Sequence, residues 1–82
     1  MIFILNEHVL NGTVTMNNII TGIEAENFIE ACDKVKTFKS FTEGKVKINR
    51  ENYDEFEFEV IQDESTPWMV FCEMNNEELK IL

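Results

Sequence analysis

The sequence is poor in the residues that build linkers, metal centres and most catalytic machinery. Its 82 residues include one proline, three glycines, two cysteines, one histidine and seven lysines and arginines together. So little proline and glycine leaves no stretch that reads as an interdomain linker, and nothing repeats. A chain of this length hides roughly 60–65% of its unfolded surface on folding, enough for one core, so residues 1–82 are expected to form a single compact domain. Cys32 and Cys72 lie far apart with no C-x-x-C pair. That spacing indicates neither a zinc ribbon nor a disulfide framework and suits a reducing compartment.

Long apolar runs are missing too. "MIFILNEHVL" is apolar only through Leu5, has no basic flank, and meets Glu7 and His8 before a signal-peptide core could be completed. No run approaches the ~18–20 apolar residues that a spanning helix needs. The expectation is a cytoplasmic protein with no membrane partner. The scarcest charge is positive: sixteen acids face seven bases, a net charge of -9. The resulting field repels nucleic acid and draws basic partners in, so direct nucleic-acid binding is not expected. An apolar content of 44% with nine aromatics nevertheless predicts a folded chain.

Catalytic constellations are equally sparse. His8 shares strand parity with Ile2, Ile4 and Leu10 and is expected to be a half-buried or edge residue. No Ser-His-Asp or Cys-His pattern, glycine-rich phosphate loop or calcium loop can be assembled from the spacing. Cys32 and Cys72 read as small core residues. No catalytic, cofactor or metal-ligating residue is assigned, and the chain is read as non-enzymatic.

What is present is a clear change of period. "IFILNEHVL" followed by Asn11-Gly12 predicts a hairpin with strands over 2–10 and 13 to about 25, the second bulged near Asn17-Asn18. From Asn27, Phe28, Ala31, Cys32, Val35 and Phe38 fall on one helical stripe. Asn27 is the expected cap of a helix over 27–39, with Glu30 as the partner of an Asn-type capping box. Alternation returns in "KVKINR" and "EFEFEVIQ". "WMVFCEM", apolar on both faces, reads as a central strand, with Trp68 closing the core at the sheet end or, alternatively, standing exposed as a contact anchor. The tail "NNEELKIL" admits either a helical turn capped by Asn76 or a short edge strand. The predicted class is α+β: an antiparallel sheet of about five strands with one helix on one face, in the order β-β-α-β-β-β.

Residues 54–60, "DEFEFEV", alternate acid and apolar side chains. A five-residue hairpin loop would set Lys47 opposite Glu57 and Lys45 opposite Glu59, with Ile48 on Phe56 and Val46 on Phe58, an ordinary solvated strand with neutralised charge. Yet residues 43–64 carry eight acids against three bases. If the "DESTP" turn puts Gln62 opposite Trp68, Glu57 also neighbours Glu73, a like-charge pair. Glu51, Tyr53, Asp54, Glu55, Glu57, Glu59, Phe71 and Glu73 are therefore the candidate partner-binding residues, on an acidic face with Tyr53 at one end. Carboxylates at i and i+2 on a strand stand about 6.6–6.8 Å apart, a spacing comparable with that of neighbouring backbone phosphates.

In length, charge and this alternating acidic strand, the chain is similar to small phage-encoded inhibitors of host defence, the anti-CRISPR and anti-restriction proteins that imitate nucleic acid. The resemblance implies a basic, nucleic-acid-binding protein surface as partner. The alternative reading is a homo-oligomeric structural or adaptor domain, paired through sheet edges at the amino-terminal strand and "LKIL".

Overall fold

The computed structural model describes residues 1–11, 14–66 and 68–80, with residues 18–20 described in backbone only. Strands β1 (Ile2–Asn11) and β2 (Val14–Glu24) are followed by helices α1 (Phe28–Val35) and α2 (Lys39–Thr42), then by β3 (Val46–Glu51), β4 (Glu55–Val60) and β5 (Met69–Glu78). The strands form one antiparallel sheet in the order β2-β1-β5-β4-β3. The α+β class and element order follow the expectation, with a second short helix added.

The core lies on one face of this sheet. Phe3, Leu5, Ile23, Phe56, Phe58, Cys72 and Met74 point from the strands toward Phe28, Ala31, Cys32 and Val35 of α1, and all are buried. Phe3 meets Phe28 edge-on at 5.7 Å. Burying a phenylalanine or leucine of this kind stabilises the fold by about 1.5–3 kcal/mol. α1 forms where the stripe begins: Asn27 is extended, and its Oδ1 accepts the Glu30 N–H at 2.9 Å. Glu30 turns outward to Lys34, 3.5 Å away.

The helix stops at Val35, short of the expected residue 39. The Thr37 hydroxyl donates to the Lys34 carbonyl, and Phe38 adopts an extended conformation before α2. Beyond the break Phe38 and Phe41 both pack against the core, with the Phe41 ring 4.7 Å from that of Phe58. α2 ends at Gly44, whose φ of 70° is left-handed and favours glycine.

Four further expectations need correction. The register slip in the first hairpin falls where Leu5 faces Thr21 and Asn6 faces Ile19, later in the chain than Asn17-Asn18; the Asn11-Gly12 turn itself lies partly outside the described residues. β1 is an interior strand, flanked by β2 and β5, so the sheet edges are β2 and β3. Trp68 precedes β5 and is 41% exposed, leaving sheet-end closure to other residues. Asn76 caps no helix: β5 runs on through Glu78 because Asn76 is tied to the β3–β4 turn, its N–H donating to the Asp54 carbonyl and its amide to that of Tyr53. After it, the Leu79 N–H donates to the Ile2 carbonyl; Ile81 and Leu82 lie outside the described residues. β5 is central, as its two apolar faces predicted.

Candidate functional site

The face of the sheet turned away from the helices carries the charge. On β4, Phe56 and Phe58 are buried toward α1, so Glu55, Glu57 and Glu59 emerge on the other side. Glu57 faces Glu73 of β5, Glu59 faces Phe71, and Glu55 faces Asn75. The inferred Glu57–Glu73 adjacency is therefore present.

The other side of β4 is registered differently from the expectation. Lys47 faces Glu59, Ile48 faces Phe58, Val46 faces Val60 and Arg50 faces Glu57, with an irregularity between Ile48 and Arg50. The cause is the turn. Asn52 Oδ1 accepts from the N–H groups of both Asp54 and Glu55 at 2.8 Å, and the Asn52 N–H donates to the Glu55 carbonyl at 3.0 Å. This Asx-type turn is tighter than a five-residue loop and slides the register by two positions or more. Lys45 lies outside β3 and pairs with Glu43 at 3.4 Å rather than with Glu59.

The turn also sorts the candidate residues. Glu51 faces Phe56 on the helical side, where Lys36 reaches across the Phe56 ring, 5.6 Å from its centroid, to form an ion pair with Glu51. That hydrogen bond holds the Lys36 pKa above its usual value. Tyr53, 76% exposed, lines a cleft of about 210 Å³ with Phe28, Ile29 and Cys32. Glu51 and Tyr53 thus belong to the helical side, and Tyr53 does not end the acidic strip. Asp54 sits exposed in the turn. The structure brings Glu55, Glu57, Glu59, Phe71 and Glu73 together on the outer face.

Neutralisation of this face is partial. Arg50 Nη1 lies 3.0 Å from Glu55 Oε2. Among the described residues Glu57 and Glu59 make no ion pair, and Glu73 makes one only with His8. His8 is the residue the sequence pattern did not attach to this face. Its ring stacks on Phe71 at 4.7 Å and 19°, with Nε2 3.1 Å from Glu73 Oε1 and Nδ1 2.5 Å from Asn17 Oδ1. The Asn17 hydrogen bond, followed by Glu73 and Glu57, holds its pKa above the ordinary 6.5 against a smaller lowering by burial. Strand parity placed His8 with Ile4 and Leu10, but only the β1–β5 pairing reveals that this parity shares the acidic face.

Among the described residues no group of His, Cys, Asp or Glu is arranged to hold a metal ion, and no helix is long and apolar enough to cross a membrane. Cys32 and Cys72 are buried free thiols on the helical side, and burial raises their pKa values to about 11 and about 12. No protein-family model matches the chain, and no curated protein or solved structure matches it significantly.

Proposed function

We propose that this protein is a non-enzymatic binding module whose outer sheet face docks against a basic surface of another protein, one that ordinarily holds nucleic acid. The observation that carries this reading is the trio Glu57, Glu59 and Glu73, in which only Glu73 has an ion-pair partner among the described residues, His8, projecting from two adjacent strands of a sheet whose opposite face holds the core. Along β4 the carboxylates repeat at about 6.6–6.8 Å, and across to β5 they stand about 4.5–5.5 Å apart at Cβ, a density of fixed negative charge akin to a phosphate backbone. Phe71 and the His8 ring supply an apolar platform within the strip, suited to the stem of a partner lysine or arginine. A phage-type inhibitor that imitates nucleic acid is the form of this function most in keeping with the chain's size and net charge.

The test is a Glu57/Glu59/Glu73 to Gln variant, checked for an unchanged circular dichroism spectrum. Partners captured by the wild type at low salt are identified, and their affinities measured across a salt series. The expected result is a basic partner whose affinity falls about tenfold or more in the variant and steeply with salt. Retention of every partner at wild-type affinity rejects the proposal.

The alternative of an edge-paired homo-oligomer shifts from β1 to β2, whose eleven residues form a sheet edge with Val14 and Met16 exposed. Sedimentation over a concentration series separates the two readings, since edge pairing predicts self-association that survives loss of the three carboxylates.

A further inference from the structure

The outer face holds a titratable group on β1, at the flank of its acidic strip. From β5, His8 meets the Phe71 ring and the Glu73 carboxylate. From β2 it meets Asn17, which is uncharged. Beyond β5, β4 brings Glu57 and Glu59 to the same face, and β3 adds Lys47 and Arg50 opposite them. The helices pack on the other side of the sheet.

Both ring nitrogens of His8 look at oxygen: Nδ1 at Asn17 Oδ1 and Nε2 at Glu73 Oε1. A neutral imidazole carries one N–H and can donate to only one of them, whereas the imidazolium donates to both. Losing the proton leaves a ring lone pair facing an oxygen. Asn17 relieves that clash by turning its amide to present N–H instead. The site as built therefore fits the charged ring, which lies beside Glu73, one member of the cross-strand carboxylate pair. We propose that His8 is a proton-operated attenuator of the docking face: with both nitrogens protonated it forms an ion pair with Glu73 and offsets the strip's charge, and with one proton lost it keeps only a neutral Nε2–H hydrogen bond to Glu73, whose charge is then left for a basic partner.

This inference rests on the docking function proposed above, and the two can fail separately. Histidine is the side chain whose ordinary titration falls between about pH 5 and 8, so an otherwise constant acidic surface gains a response in that interval. In the docked state a partner lysine or arginine competes with His8 for Glu73. Acidification weakens docking while it tightens the internal Glu73 contact.

The experiment has two arms. In the first, the His8 ring is titrated by NMR in the wild type and in Glu73→Gln. The expected midpoint lies above 6.5 in the wild type and falls in the variant; equal midpoints overturn the proposal. In the second, calorimetry follows a short oligolysine probe binding at low salt near pH 6 and near pH 8, in the wild type and in His8→Gln. The wild type is expected to bind about two- to fivefold more weakly at the lower pH, and His8→Gln equally at both. The same pH response in both proteins overturns the attenuator while leaving the docking face intact. No binding by either protein at either pH overturns the docking face, and the attenuator with it.

Discussion

Glu57 of β4 stands in direct register with Glu73 of β5, and the one ion-pair partner of either among the described residues is His8, 3.1 Å from Glu73. Like charges opposite each other on adjacent strands oppose folding, and nothing in the core requires acids at these positions: the phenylalanines on the far side of β4 do the packing.

Glu57→Gln should therefore stabilise the protein. The expected gain is about 0.2–1 kcal/mol at low salt, shrinking as salt rises, because the like-charge contact with Glu73 is relieved while Arg50, in register with Glu57, makes its close ion pair with Glu55. Urea unfolding at two ionic strengths checks this; a loss of stability that ignores salt would show that Glu57 has a structural role instead.

Phe56 and Tyr53 should respond in opposite ways. Phe56 is fully buried beneath α1 and between Phe41 and Phe58, so Phe56→Ala should cost about 3–5 kcal/mol, a large part of what a domain of this size has. Tyr53, 76% exposed, should tolerate alanine within about 0.5 kcal/mol. Denaturant midpoints on the two variants decide the matter.

The two thiols should be inert in the native state. Cys32 is 4% and Cys72 3% exposed, and burial pushes their pKa values to about 11 and about 12, so little thiolate forms near neutral pH. A chromogenic disulfide reagent should label neither at a rate faster than global unfolding, and both promptly in denaturant. Rapid labelling without denaturant would contradict the burial.

His8 should also leave a mark on stability. Its folded pKa is raised, so its contribution is fully present below about 6.5 and is lost as pH rises through the higher folded value. Between about pH 6 and pH 8 the wild type should lose a little stability that His8→Gln does not lose. Thermal melts of both proteins across that interval measure the difference; parallel profiles would sever His8 from Glu73.

The parts legible in the sequence are those set by local period. The helix start at Asn27, the buried stripe, the inward Phe56 and Phe58, and the central place of β5 follow from spacing alone. The β3–β4 register did not, because a single side chain, Asn52, shortens the turn, and the slip carries Lys47 and Arg50 to different partners and Glu51 to the helical side. The helix break near Phe38 escaped because Phe38 continues the apolar stripe: periodicity carries the helix on to 39, whereas the Thr37 hydroxyl takes the Lys34 carbonyl and Phe38 turns extended. His8 was assigned the right character and no neighbours, since Phe71 and Glu73 come from a strand more than sixty residues away in the chain and Asn17 from the register of the first hairpin.

The strand order β2-β1-β5-β4-β3 makes β5 the sole bridge between the β1–β2 and β3–β4 hairpins. During synthesis the hairpins and helix emerge first, yet none can close the barrier against water until the ribosome has released residues 69–78. The outer face is joined at that same seam, so a chain lacking these residues would leave His8 of β1 and Glu57 of β4 with no strand between them.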